Sequence, residues 1–134
     1  MNKGKYIFSQ LMSLLSHNEF NRCVKKYKGN HRVRKFTCWQ QFLSMSFGQL
    51  SQRESLRDII ICLASHRPKL YHLGIRHEPK RSTLAEANER RDFQIYKDFA
   101  LSLIEQARQL YQKTDNTDLG IEPPVYAIDA TVID

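Results

Sequence analysis

Apolar side chains recur every three or four residues along most of the first 112 positions of the chain. This spacing places them on one face of an α-helix, so each apolar stripe predicts a helix with one buried side. In the last and longest helix, the predicted buried face runs from Ile95 to Leu110. The stripes cover residues 7–15, 20–27, 39–50, 56–63, 70–73 and 95–110. Together they predict a mainly α fold, with a compact multi-helix domain over residues 1–112.

Polar residues, glycines and a proline between the stripes predict where the helices begin and end. A hydroxyl residue followed three positions later by Glu or Gln can form a capping box, which satisfies two otherwise unpaired backbone N–H groups. This spacing occurs at Thr37 and Gln40, at Ser51 and Glu54, and at Thr83 and Glu86. Further predicted signals are N-caps at Asn18 and Asp92, a first-turn proline at Pro68, and helix stops at Gly29 and Gly74.

The composition changes after the last helical stripe. Residues 113–124 are polar and turn-rich, and Pro123 and Pro124 cannot continue a helix, so this segment is predicted to be a linker. Residues 125–133 are β-branched, aromatic and apolar on both faces, which is typical of a central strand buried on both sides. Such a strand needs neighbours, and the sequence ends at Asp134. We therefore expect residues 125–134 to form one orphan strand.

Positive charge is concentrated in the first part of the chain. The net charge is +7, and residues 1–50 contain nine Lys or Arg against a single acid, Glu19. A block of cations without acids is typical of a surface that contacts phosphates, although a solvated face that keeps the protein soluble has the same composition. The block lies within residues 22–35 and comprises Arg22, Lys25, Lys26, Lys28, Arg32, Arg34 and Lys35.

Several other classes of protein are disfavoured by the sequence. No apolar run approaches the ~20 residues of a membrane-spanning helix, and the amphipathic N-terminus has no small-residue cleavage site, so a cytoplasmic protein is expected. The three cysteines are widely spaced without a Cys-x-x-Cys pair, which disfavours a zinc or redox site. The five histidines are likewise scattered, so no histidine metal site is expected.

Asp129 is the residue of the predicted strand that most requires an explanation. A carboxylate within a buried strand is unfavourable unless it is paired or binds a metal. It can be exposed at a frayed terminus, form a salt bridge with one of the many basic residues, or bind Mg²⁺. The last reading requires partner carboxylates, and the chain has none at a suggestive spacing.

The order of several segments resembles the N-terminal part of DDE transposases of the insertion-sequence four family. The most specific segment is RSTLAEANERRD at residues 81–92, followed by Ile95 and Tyr96. The segment YAIDATVID at residues 126–134 resembles the strand that opens the catalytic core of the family. The other matching segments are residues 35–42, 49–59 and 69–74. The resemblance thus extends over nearly the whole chain.

This resemblance implies a fold and an activity that the periodicity alone does not. Residues 1–112 would be a helical domain that binds transposon-end DNA, and residues 125–134 would be the first strand of a ribonuclease-H-like catalytic domain. Asp129 would be the first catalytic residue and a metal ligand of an Asp-Asp-Glu triad that binds two Mg²⁺ ions in the full-length parent. The second Asp and the Glu are missing here, so we expect this chain alone to bind no cofactor and to be inactive as an enzyme.

Two segments are the predicted contacts with double-stranded DNA. Lys25, Lys26, Lys28, Arg32, Arg34 and Lys35 are candidates for phosphate contacts, which position a protein without reading bases. Asn88, Arg90 and Arg91 are candidates for reading base edges in a groove, although their alternation with acids is also that of an ordinary salt-bridged surface.

Three functions remain open on the sequence alone. The first is a transposase fragment that binds transposon ends for DNA transposition while being catalytically incomplete. The second is a truncated regulator that occupies those ends, or pairs with full-length transposase or with itself, and so inhibits transposition. The third is a helical protein-interaction domain without a nucleic-acid role.

Overall fold

The computed structural model describes residues 7–114, and this part of the chain is mainly helical, as the apolar stripes predict. Seven α-helices and one 3₁₀ turn follow one another within these residues. Their bounds are α1 Ile7–Ser13, α2 His17–Lys26, α3 Cys38–Leu50, α4 Leu56–Ser65, α5 Arg67–Leu70, the 3₁₀ turn Tyr71–Leu73, α6 Arg81–Arg90 and α7 Gln94–Thr114. The predicted strand 125–134, most of the predicted linker 113–124, and Asp129 lie outside the described residues.

The helices enclose two apolar clusters. The first lies between α1, α3, α4 and α6, with Phe8, Phe47, Leu63 and Leu84 among its buried members. The second lies between α2, the start of α3 and α7, and its buried residues are Phe20, Cys23, Val24, Cys38, Ile95 and Phe99. Trp39 and Phe42 of α3 pack against both clusters. Because α3 contributes to both, it is the helix around which the others are arranged.

The helix ends follow the predicted signals only in part. Thr37 and Gln40 form the predicted capping box at the start of α3, the 3₁₀ turn ends at Gly74 with φ 98°, and the Asp92 carboxylate accepts a hydrogen bond from the Gln94 N–H at 2.9 Å. Pro68 lies in the first turn of α5, as predicted.

Three of the predicted caps are wrong. The N-cap of α2 is Ser16 and not Asn18. Ser55 caps α4, whereas Ser51 ends α3 with its hydroxyl donating to the Phe47 carbonyl at 2.6 Å. Thr83 lies inside α6, which begins at Arg81 after the N-cap Lys80. The prediction that α2 runs to a stop at Gly29 is also too long, because the helix ends at Lys26.

Helix α7 departs from its predicted buried face toward its C-terminus. Ile95 and Phe99 are fully buried against α2, but Leu110 is 67 % exposed, contrary to the prediction. Helix α7 also extends to Thr114, two residues beyond the predicted end of the helical domain. The cause is a difference in length, since α2 has 10 residues and α7 has 21.

Candidate nucleic-acid interface

Residues 27–36, called here the basic loop, connect α2 to α3 through a series of tight turns. Backbone hydrogen bonds run from the Lys28 N–H to the Lys25 carbonyl and from the His31 N–H to the Lys28 carbonyl. Two non-glycine residues, Lys28 and Arg32, adopt left-handed backbone angles with φ 52° and 58°. The loop is also tied to the start of α3, because the Asn30 side chain accepts a hydrogen bond from the Cys38 N–H at 2.9 Å. The loop therefore has a defined conformation.

Gly29 lets the basic loop lie directly on the second apolar cluster. A Cβ atom at this position would overlap Ile95 Cδ1 and come within 2.8 Å of Cys38 Sγ. Both neighbours are fully buried, so neither side chain can move away easily. The close approach, rather than the predicted helix stop, is the reason that this position requires glycine.

All seven predicted cations of residues 22–35 are exposed, but they differ in their partners. Arg22 pairs with Glu19 at 2.6 Å and Lys26 pairs with Asp98 of α7 at 2.7 Å. Among the described residues, no acid forms an ion pair with the other five, which are Lys25, Lys28, Arg32, Arg34 and Lys35. These five, called here the unpaired cations, carry net positive charge that faces solvent.

Lys26 serves the fold through its pair with Asp98. The Asp98 carboxylate also accepts a hydrogen bond from the Tyr27 hydroxyl at 2.7 Å. This single acid on α7 therefore forms hydrogen bonds with two consecutive residues at the C-terminal end of α2. The hydrogen bond from Lys26 holds the pKa of Asp98 below its usual value, and the same bond raises the pKa of Lys26. Lys26 is thus less available to a phosphate than the unpaired cations.

A groove of about 570 Å³ separates the basic loop from α6. The fold therefore brings together the two segments that the sequence predicts as DNA contacts. Lys28 and Arg32 line the loop side, whereas Glu86, Arg90 and Asp92 line the opposite side. Arg90 pairs with Glu86 at 2.6 Å, so the α6 side has little net charge and the positive charge belongs to the loop.

Arg91 connects the two sides of this groove from within. Its guanidinium donates to the Phe36 carbonyl at the end of the basic loop and, at 2.9 Å, to the Oε1 atom of Gln41 on α3. The guanidinium carbon also lies 5.4 Å from the centre of the Phe36 ring. These three contacts hold Arg91 within the fold.

Gln41 lies at the centre of the same network and is only 4 % exposed. Its Oε1 atom also accepts a hydrogen bond from the Tyr96 hydroxyl at 2.6 Å, and its Nε2 atom donates to Asn88 Oδ1 at 2.7 Å. Burial raises the pKa of the Tyr96 hydroxyl, which keeps it protonated as a donor. Sequence reasoning missed Gln41, because a glutamine among apolar helix neighbours gives no signal of its own.

The candidate base-reading residues therefore lie in three different settings. Arg90 is exposed beside the groove, Arg91 is held inside by Gln41 and Phe36, and Asn88 lines a different, mostly apolar groove that contains Met45 and Phe93. The structure gives Asn88 and Arg91 partners within the protein, and their predicted contacts with bases remain predictions.

Two further kinds of feature are absent from residues 7–114. No group of three or more His, Cys, Asp or Glu side chains there is arranged to hold a metal ion. Among the described helices, none combines the length and the apolar character needed to cross a membrane.

Comparisons with known proteins give a single result. A family model described as "Domain of unknown function (DUF4372)" matches residues 3–76, which are more than half of the chain and include the basic loop. No curated protein and no solved structure matches the chain. The chain therefore belongs to the family described as domain of unknown function DUF4372, a domain found in transposase-like proteins.

Proposed function

We propose that the helical part of this chain binds double-stranded DNA, with the basic loop contacting phosphates. The observation that supports this most directly is the set of five unpaired cations, of which four lie on a loop of defined conformation and the fifth, Lys25, lies in the adjoining last turn of α2. A cation already paired with an acid must lose that partner before it can bind a phosphate, whereas an unpaired one only releases counterions. A loop whose conformation is already fixed also loses less conformational entropy on binding.

The charges around the groove limit where the DNA backbone can lie. Glu86 and Asp92 on the α6 side would repel a phosphate placed deep in the groove. The unpaired cations Lys25, Arg34 and Lys35 are exposed and do not line the groove. The duplex therefore lies across the solvent side of the basic loop, and contacts there position the protein without reading the sequence.

The finer proposal is that the DNA is a transposon end and that the chain is the N-terminal part of a DDE transposase of the insertion-sequence four family. Its support is the resemblance of the segments described above and the occurrence of the matched domain in transposase-like proteins. Asp129 would then be a Mg²⁺ ligand of the parent enzyme. One carboxylate does not form a two-metal site, so no catalytic step is assigned to this chain.

Salt-dependent binding tests the proposed interface. A labelled duplex is titrated with the whole chain at several salt concentrations, and anisotropy gives the binding constant. We expect the triple variant Lys25→Gln, Arg34→Gln and Lys35→Gln to flatten the slope of log K against log salt by about 0.9 for each phosphate that the protein no longer neutralises. These three positions avoid the left-handed residues Lys28 and Arg32, so the loop conformation should be preserved.

The matched control is a second triple variant that removes the same amount of charge elsewhere. Arg53, Arg57 and Arg76 are exposed and lie outside the basic loop, so changing them to Gln should leave the slope within about 0.5 of the parent value. If both triple variants flatten the slope equally, binding depends on the net charge of the protein and not on the position of the basic loop. No binding by the parent chain at low salt would refute the DNA-binding function itself.

A further inference from the structure

The C-terminal half of α7 extends beyond the helix that covers its first half. Helix α7 spans about 30 Å and α2 about 15 Å, and α2 covers Ile95 and Phe99 near the start of α7. From Ile104 to Tyr111, no residue is buried and only Ala107 is partly covered. A helical segment of this length is marginal in water by itself, so a partner for its apolar side would stabilise it.

The outer side of α7 has a regular apolar pattern. From Ala100 to Tyr111 alanines alternate with large residues along it, and Ile104 is 53 % and Tyr111 75 % exposed. The intervals are four, three, four, three and four residues, which is the spacing of a coiled-coil seam. The seam consists of Ala100, Ile104, Ala107 and Tyr111, and toward the start of α7 the same spacing reaches the charged Lys97 and then Phe93, which precedes the helix.

We propose that this seam binds the same seam of a second copy of the chain in antiparallel orientation. With a twofold axis between residues 105 and 106, Ile104 lies opposite the second copy's Ala107, and Tyr111 lies opposite the second copy's Ala100. Each large side chain then meets a small one, which is how the layers of a tight helix interface interdigitate. The interface is isologous, so it closes as a dimer.

The residues beside the seam complement one another in the same register. Equivalent flanks face each other when two helices pair antiparallel about a twofold axis. Glu105 and Arg108 lie on one flank, 3.6 Å apart within the helix, and each then also meets the opposite charge on the second copy. Leu103 and Leu110 lie on the other flank and meet across the axis.

The exposed area sets the expected strength of the dimer. The seam and its flanks comprise fewer residues than the roughly 20–30 on each side of a standard-size interface, so the interface is at the low end for specific ones. A reversible dimer that dissociates in about the micromolar range is therefore expected. Each copy has a net charge of +7, so added salt screens the repulsion between the copies as well as the pairs between Glu105 and Arg108. We therefore expect salt to weaken the dimer much less than it weakens DNA binding.

Sedimentation velocity of the whole chain from about 1 to 200 μM tests the proposal. We expect the parent chain to pass from monomer to dimer across this range. Ile104→Glu should raise the dissociation constant at least about 100-fold, because it places a charge at the centre of the seam. The control Gln109→Glu adds the same charge on the opposite, exposed side of α7 and should leave the dissociation constant unchanged.

A charge exchange tests the antiparallel register independently of Ile104. Glu105→Arg and Arg108→Glu should each weaken the dimer, and the two together should restore it, while helicity stays unchanged. A double variant as weak as the single ones overturns the register. A parent chain that is monomeric at every concentration overturns the dimer, and hydrogen-exchange protection of α7 in that monomer would mean that another part of the same chain covers the seam.

Discussion

Gln41 illustrates how a single buried side chain can organise a site that no sequence pattern reveals. Its amide oxygen accepts two hydrogen bonds, from Arg91 and Tyr96, and its amide nitrogen donates one to Asn88. A buried amide that loses its partners is left with a large desolvation cost. The arrangement around the basic loop therefore depends on residues that need not touch DNA.

Arg91→Ala tests this dependence. The change removes the guanidinium that joins the Phe36 carbonyl to Gln41 and leaves Gln41 with one acceptor bond fewer. We expect the free energy of unfolding to fall by about 2 kcal/mol. Hydrogen exchange should show faster amide exchange in the basic loop, measured without DNA, while the amides of α4 keep their protection.

Arg90→Ala is the matched control for that variant. Arg90 is the neighbouring arginine, and its pair with Glu86 is an exposed one between helix positions four apart. Such pairs contribute little, so the free energy of unfolding should change by less than about 0.5 kcal/mol. Similar loop exchange in the two variants would mean that Arg91 does not hold the loop.

At the scale of helices, the sequence predicts which residues face the core better than it predicts where each helix ends. The stripes of α2 and α4, and that of α3 except for its last residue Leu50, which is 60 % exposed, are correct because apolar spacing and burial have the same physical origin. Capping motifs are less reliable, because a hydroxyl residue can bond at either end of a helix, as Ser51 does when it ends α3. Tertiary packing decides whether such a residue begins one helix or ends another.

The candidate site, like the helices, was predictable only where its features depend on neighbouring residues in the sequence. The exposed cations of the basic loop follow from a local block of charge that is visible in the sequence. The pairing of Lys26 with Asp98, 72 residues away, and the binding of Arg91 by Gln41 are long-range contacts, which no local pattern reports. The fold therefore separates cations that look equivalent in the sequence.

The pair between α2 and α7 predicts a pH dependence of stability. The pKa of Asp98 is lowered from its ordinary 3.8, so its contribution is present above that pH and is lost as the pH falls through the lowered pKa. The pKa of Lys26 is raised from 10.5, so its contribution is present below that pH and is lost as the pH rises through the raised pKa. We expect Asp98→Asn to lower the thermal midpoint of unfolding by a few degrees at any pH where Asp98 is ionised and Lys26 is protonated.

The measurement is thermal unfolding of both proteins followed by circular dichroism from acid to neutral pH. The difference between parent and variant should be constant near neutrality and vanish at a pH where Asp98 is protonated. Both proteins share all other titrating groups, so their common acid sensitivity cancels. A difference that persists unchanged in acid would mean that the charge of Asp98 is not what ties α2 to α7.

At the scale of the whole molecule, the buried members of the two apolar clusters within residues 7–114 all lie between Phe8 and Phe99, and Leu103 packs against the second cluster. Removing residues 115–134 should therefore leave the fold intact, with a thermal midpoint changed by less than about 2 °C. Thermal unfolding and DNA anisotropy of the shortened chain are the measurements. A loss of cooperative unfolding would mean that the helical part cannot fold alone.

The network around Gln41 also constrains how this family can change over evolutionary time. Gln41, Asn88, Arg91 and Tyr96 come from three different parts of the sequence but share one set of hydrogen bonds. The other three side chains each bond to the buried Gln41 amide, so a substitution of Gln41 removes a partner from all three, whereas a substitution of one of them removes a partner from Gln41 alone. We therefore expect a relative that lacks glutamine at the position of Gln41 to differ also at the positions of Arg91, Tyr96 or Asn88, and so to support its basic loop by other contacts.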